Sequence, residues 1–292
     1  MKHAILGAGA VGGLIGTALA SLGEEVIVVV RPETLAGYPE SLLLERPQGP
    51  ISAPARAVAA LAEPVDVLWI GTKHYNLQPA IAEVHSLSTC VVPLLNGVDH
   101  MQVLRAHFGR DRVVPASIAV EAERTAPGRF LQRSLFVRLT IASAGEPLLG
   151  AIARRLGDCD ITCRFEPNEQ TLLWNKLCFL GPLALTTSAS GMNKGELFAD
   201  AGWKNKLITA IAEFCDVANA SGAEVDPSYL LAFLNGLQIT IRTSMQKDLA
   251  AGHEIELEAL SGPVIRGGER YGIDVSATKG LVEDIKKKIA ER

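Results

Sequence analysis

His3-Ala4-Ile5-Leu6-Gly7-Ala8-Gly9-Ala10-Val11-Gly12-Gly13-Leu14-Ile15-Gly16 is the stretch whose reading decides the fold. A short apolar strand, His3–Leu6, runs into a G-x-G-x-x-G turn formed by Gly7, Gly9 and Gly12. The turn opens a helix over Val11–Leu22 that leads to a second strand, Val26–Val30. Gly7 permits the tight turn, Gly9 lets backbone approach a pyrophosphate, and Gly12 lets the helix pack closely on the strand. Exposed N–H groups and the positive end of the helix dipole then hold the phosphates. Gly7, Ala8, Gly9, Ala10, Val11 and Gly12 are accordingly the expected cofactor-binding turn.

Alone, G-x-G-x-x-G is a weak signal. Specificity comes from its N-terminal place between two strands and from a charged residue at the end of the second. That residue is Arg31, in Val28-Val29-Val30-Arg31-Pro32. An acid there would accept hydrogen bonds from the ribose hydroxyls of NAD, whereas Arg31 can make charge-assisted bonds to a 2′-phosphate. The expected cofactor is therefore NADPH, with Glu33 close enough to blur the preference.

Outward from this unit, the first half of the chain alternates short apolar runs with helical patterns, the rhythm of βαβ units. Val65–Ile70 and Cys90–Leu95 read as further strands, and their nearly unbroken apolar character suits strands covered on both faces. Helices are expected over Leu77–Val84 and Met101–Phe108. Val114–Val120 and Phe130–Ile141 read as antiparallel strands joined around Pro127-Gly128, giving the sheet a mixed edge. After about Glu166 the pattern becomes helical: Glu169–Ser188, Trp203–Ser221, Tyr229–Gln238, Met245–Leu249, Glu256–Tyr271 and Thr278–Ala290. Gly191, Gly222 and Gly272 stand where C-terminal caps belong, and Asp226-Pro227 reads as a helix start. The predicted class is α/β: a Rossmann-type dinucleotide-binding domain over 1–166, then an all-α domain over 167–292, with a cleft between them.

Composition narrows the function. The chain has 292 residues, 48% hydrophobic and 21% charged, with a net charge of −4, which is a globular composition. Lys286-Lys287-Lys288 lies in an amphipathic C-terminal segment and reads as a solvated helix face, so nucleic acid is not the expected partner. The five cysteines (Cys90, Cys159, Cys163, Cys178, Cys215) lack paired spacing for zinc or a disulfide framework; buried free thiols, no metal and a reducing compartment are expected. The glycine-broken N-terminus is not a signal peptide, and no apolar run reaches the ~20 residues a bilayer requires. Expectation is a cytoplasmic protein acting on a small molecule. The apolar C-terminal helices could form a homodimer face or an intramolecular core.

Polar residues at strand C-terminal ends face the ligand crevice of an open α/β sheet, and here these are Thr72-Lys73 and Leu95-Asn96-Gly97-Val98. Later come Leu173-Trp174-Asn175-Lys176-Leu177, then Thr243-Ser244-Met245-Gln246-Lys247-Asp248, then Glu254-Ile255-Glu256 with Leu260-Ser261-Gly262 following. In this order and spacing, from Met1 to about Gly272, the series resembles the ketopantoate reductase (2-dehydropantoate 2-reductase) family. The resemblance implies NADPH-dependent reduction of a 2-oxo acid, ketopantoate to pantoate, in pantothenate and coenzyme A biosynthesis. It implies that Lys176 is the acid that protonates the nascent alkoxide. Glu256 is implied as the carboxylate that binds substrate, supports that lysine and borders the cofactor. Ser244 would contact the substrate carboxylate; Lys73 and Asn96 would line the nicotinamide side, within reach of cofactor and substrate.

The residues agree on chemistry. Hydride addition puts negative charge on a ketone oxygen, so a cation or acid must stand there. Lys176 sits among Leu172, Trp174, Leu177 and Phe179, a setting that lowers a lysine pKa. The sequence also departs from the family pattern: positions that carry asparagines are Leu180, Ala184, Lys194 (with Asn193 adjacent) and Ile241. These amides hold the polyol end of ketopantoate in the family, and a site built for a hydroxyl differs sharply from one that offers leucine. His74, Asn76 and His253 are spare polar groups near the crevice, equally readable as surface residues. Three functions follow: a ketopantoate reductase, a reductase of a more apolar 2-oxo acid, or a non-catalytic NADP(H)-binding sensor.

Overall fold

The computed structural model describes residues 1–291. By internal contacts the chain divides into two compact units, one made of residues 1–95 and 100–167, the other of residues 96–99 and 168–292.

The first unit opens with β1 (Lys2–Leu6), α1 (Ala10–Ser21) and β2 (Glu25–Val29), followed by α2 (Pro32–Leu35). Three strands absent from the sequence reading come next: β3 (Ser41–Glu45), β4 (Ile51–Pro54) and β5 (Arg56–Val58). β6 (Val65–Ile70), α3 (Leu77–Ile81), β7 (Ser88–Pro93) and α4 (His100–Phe108) complete the βαβ series. A parallel sheet has the order β5-β2-β1-β6-β7, so the strand order reverses between β1 and β6. That reversal is where open α/β sheets bind ligands, and it lies between the glycine turn after β1 and Thr72-Lys73 after β6.

A second sheet, β4-β3-β10-β9, uses β9 (Ala122–Ala126) and β10 (Arg129–Gln132). A third, β12-β11-β8, combines β8 (Ala116–Ala119), β11 (Val137–Ala142) and β12 (Ile161–Glu166), with α5 (Glu146–Arg155) between the last two. These correct the expected hairpin. The turn at Pro127-Gly128 joins β9 to β10, not Val114–Val120 to Phe130–Ile141. The latter run is two strands in different sheets, interrupted at residues 133–136. Leu135 and Phe136 make that interruption look apolar, yet they are 76% and 40% exposed. The mixed sheet edge is thus a separate mixed sheet, with β8 antiparallel and β12 parallel to β11.

α1 packs against strands of both the parallel sheet and the second sheet, which explains why its sequence is apolar all round rather than on one stripe. Glycines make this close packing feasible. A β-carbon on Gly12 would lie 2.3 Å from the Gly7 carbonyl oxygen, and one on Gly13 would lie 2.0 Å from the Phe130 ring.

In the second unit α6 (Glu169–Ser190) is the central helix. Asn168 caps its start by accepting from Thr171 N, and Gly191, with φ 85°, ends it in the left-handed region. Next are α7 (Lys194–Ala199), not foreseen from sequence, then α8 (Ala201–Ala220), α9 (Pro227–Gly236), α10 (Ser244–Ala250), α11 (Leu257–Tyr271) and α12 (Ser276–Ala290). Asp226 caps α9 and Gly272 ends α11, as the sequence indicated. Phe214, Leu177, Leu185, Val264 and Ile285 belong to one buried cluster. Glu213, buried, accepts from Ala277 N and Thr278 N at 2.8 Å each and from Thr278 Oγ1 at 2.6 Å, giving the start of α12 a carboxylate cap. All five cysteines are free, four of them buried and Cys163 half-buried. No described helix is long and apolar enough to cross a membrane.

Gly13→Ala should destabilise the protein by about 1–3 kcal/mol, because overpacking against Phe130 outweighs alanine's better helix propensity. A thermal or denaturant midpoint equal to or above that of the wild type would show that the α1–β10 contact yields freely.

Candidate active site

In the first unit the glycine turn has the features of an anion-binding backbone. Gly7 has φ 88°, a left-handed conformation that disfavours side chains. A β-carbon there would also fall 2.6 Å from Thr72 Cγ2, so the turn rests on the end of β6. Gly9 is the N-cap of α1, where no side chain caps the helix and no acid occupies the first turn. The leading N–H groups of a twelve-residue helix are therefore left to an external acceptor. Thr72 adds a buried hydroxyl that has no hydrogen-bond partner among the described residues. These features fit a dinucleotide pyrophosphate. Arg31 is exposed and is itself the N-cap of the short α2, two residues after the end of β2. Lys73 is half-buried and begins the single 3-10 turn of His74–Asn76.

The second unit gathers three of the sequence-predicted residues: Lys176 on α6, Glu256 just before α11, and Asn96 from the four-residue segment after Leu95. Asn96 Nδ2 donates to Glu256 Oε2 at 3.2 Å across 160 residues of sequence. Neighbouring contacts hold this segment. Arg266 of α11 pairs with Asp99 and with Glu258. Gly97 has φ 84°, and a β-carbon on it would meet the Ala259 carbonyl oxygen at 2.5 Å. Asn96-Gly97 is a turn signal in the sequence; its attachment to α11 is not legible there.

Glu256 is buried and precedes α11 as its N-cap residue. Lys176 opens the third turn of α6. Its side chain keeps some solvent-accessible surface, but burial strips the ammonium of much of its hydration. Desolvation lowers its pKa to about 8, opposed by the Glu256 carboxylate, which raises it. The result is a lysine that is mostly protonated at neutral pH and gives its proton up readily.

Ser244 is exposed at the first position of α10. It is positioned by Thr243, the buried N-cap, whose hydroxyl accepts from Gln246 N at 3.3 Å and hydrogen-bonds Thr187 Oγ1 of α6 at 3.1 Å. Sequence reading missed this Thr187–Thr243 brace; an ST-type cap before α10 was its only local sign.

Of the positions departing from the family pattern, Leu180 is half-buried and Ala184 is fully buried. Lys194 is buried, with Nζ donating to the Asn235 and Leu237 carbonyls at 3.1 and 3.0 Å. Ile241 accepts through its carbonyl from Lys194 N at 3.1 Å. Lys194 thus ties down the end of α9. His253 is exposed and faces Asp248 at 3.9 Å; His74 and Asn76 belong to the other unit.

Comparison with known proteins gives a consistent assignment. The family model described as "Ketopantoate reductase PanE/ApbA" matches residues 3–145, and its companion, "Ketopantoate reductase PanE/ApbA C terminal", matches residues 168–289. A 2-dehydropantoate 2-reductase of Caulobacter vibrioides is 29% identical over 288 residues, covering 96% of each chain. The structure of a PanE/ApbA family ketopantoate reductase from Ralstonia eutropha JMP134 superposes with a TM-score of 0.86 at 24% identity, covering 100% of this chain and 99% of that one. D-Mandelate dehydrogenase, solved with NADH and anilino(oxo)acetate, superposes with a TM-score of 0.88 at 21% identity, with 100% and 99% covered. The structural likenesses are likenesses of fold.

Lys176 should titrate near pH 8, read from the pH dependence of its modification by an amine-reactive reagent, peptide by peptide in a mass spectrometer. Glu256→Gln removes the charge that raises this pKa, so the midpoint should move to lower pH. A midpoint above 10 in the wild type, or an upward move in the variant, contradicts the electrostatic account.

Proposed function

Because the chain belongs to the ketopantoate reductase PanE/ApbA family, we propose that it is an NADPH-dependent reductase of a branched 2-oxo acid, working by the 2-dehydropantoate 2-reductase reaction. Lys176 carries this reading, as a desolvated lysine tuned to about 8 beside a carboxylate.

When bound, the reduced nicotinamide supplies the hydride. Residues of the chain account for the rest of the chemistry. The Lys176 ammonium stabilises negative charge as it grows on the C2 oxygen and passes a proton to it, leaving a neutral amine that solvent reprotonates. A pKa near neutrality suits this role, since such a group is both protonated and a good donor at working pH. Glu256 keeps Lys176 in its acid form and, held by Asn96, keeps a fixed orientation. Ser244, exposed at the first position of α10, offers its hydroxyl to the substrate carboxylate. Gly7 to Gly12 and Arg31 hold the pyrophosphate and the 2′-phosphate, with Lys73 and Asn96 lining the nicotinamide side.

Loss of NADPH absorbance in the presence of branched 2-oxo acids, ketopantoate among them, tests the reading. A protein that binds NADPH yet oxidises it with none of them is a sensor rather than a reductase. Lys176→Ala should lower kcat by about 10²–10⁴-fold, the usual worth of a general acid, with NADPH affinity little changed. Arg31→Ala should weaken NADPH by about 10–100-fold, the loss of a charge-assisted hydrogen bond, and NADH far less. Equal losses for the two cofactors would remove Arg31 from 2′-phosphate recognition.

A further inference from the structure

Phe179 and Leu180 follow Lys176 by three and four residues on α6, the spacing that places helical side chains on one face. Both are half-buried. The Phe179 ring meets Phe233 of α9 edge to face, with centroids 5.1 Å apart and planes at 73°, and Phe233 is half-buried too. A partly open, carbon-only wall therefore starts at the turn after Lys176 and continues onto α9.

Three polar groups near this wall, on Thr187, Lys194 and Asn96, are engaged within the protein. Leu183 and Ala184, one turn further along α6, are closed into the core. Thr187 spends its hydroxyl on the Leu183 carbonyl at 2.7 Å and on Thr243. The Lys194 ammonium is held by two carbonyls at the end of α9 and lies over the Phe198 ring at 4.7 Å. Asn96 donates to Glu256.

From this arrangement we propose that Phe179, Leu180 and Phe233 receive the side chain of the substrate, and that the preferred substrate is a 2-oxo acid whose side chain is wholly apolar, branched alkyl or aryl, rather than hydroxylated. The inference rests on the reading of the chain as a 2-oxo acid reductase and specifies the substrate class of that site. A hydroxyl laid against these carbons gives up its water and gains no partner. An apolar pocket discriminates in this way by about 10–100-fold. The aromatic pair offers ring surface on which an aryl or branched chain packs.

The test uses the full-length protein with NADPH and three acids: ketoisovalerate, phenylglyoxylate and ketopantoate. Expected is a kcat/KM for the better of the first two that exceeds the value for ketopantoate by about 10–100-fold. Leu180→Asn should shrink that ratio at least about tenfold by restoring a hydrogen-bond partner. Phe233→Leu, which keeps the volume apolar and guards against misfolding, should raise KM for phenylglyoxylate more than for ketoisovalerate. Ketopantoate preferred by the wild type, or a ratio unmoved by Leu180→Asn in a variant that still binds NADPH, overturns the proposal while leaving the reductase reading intact. No oxidation of NADPH with any acid overturns both.

Discussion

A β-carbon on residue 12 would sit 2.3 Å from the carbonyl oxygen of Gly7, and much of the first unit follows from this lack of room. Helix α1 must start hard against the end of β1, so its first N–H groups stand free over the turn instead of being capped. Once held there, the helix has parallel strands on one side and the second sheet on the other. Its glycines cost helix propensity, about 1 kcal/mol each, but they let Phe130 and Ile5 approach the helix backbone. The same residues therefore create the turn proposed to hold the phosphates and the packing that fixes it in place.

In the second unit, α6 has the corresponding part. It carries Lys176 near its start, the apolar Phe179-Leu180 turn next, and Thr187 near its end, where Thr243 of α10 is tied on. The carboxylate of Glu256 and the amide of Asn96 then meet from opposite ends of the sequence. Burial lowers the lysine pKa and the carboxylate limits the fall, so the value of about 8 is a balance between two tertiary effects. Neither residue type alone implies it.

Legibility in the sequence followed physical locality. β1, α1, β2 and β6 were readable because a glycine turn and continuous apolar runs report themselves within a dozen residues. The second sheet was not, because β3, β4 and β10 are short and half-covered, and two exposed apolar residues, Leu135 and Phe136, hid the break after β10. α7 escaped notice because six residues hold too little periodicity, although Asn193 and Glu196 form a capping box around its start. Lys194 was read only as a departure from the family pattern; its buried ammonium turns out to close the end of α9.

Sequence alone determined the α/β plan of the first unit, the helical run of the second, the glycine turn and the identity of the residues proposed for catalysis. The first three depend on backbone preference or on periodicity over a few turns, which a linear string carries; the last came from the resemblance of an ordered series of motifs to a known family. Only the tertiary structure decided that Asn96 belongs with α11 and that Thr243 braces α6. It also decided that Phe233 stands beside Phe179 and that Lys176 loses enough water to become a ready proton donor. These are properties of distance and hydration between segments far apart in the chain. The glycine turn, read with its flanking strands, pointed to a dinucleotide from the sequence, whereas the proposed substrate wall had to wait until α6 and α9 were packed together.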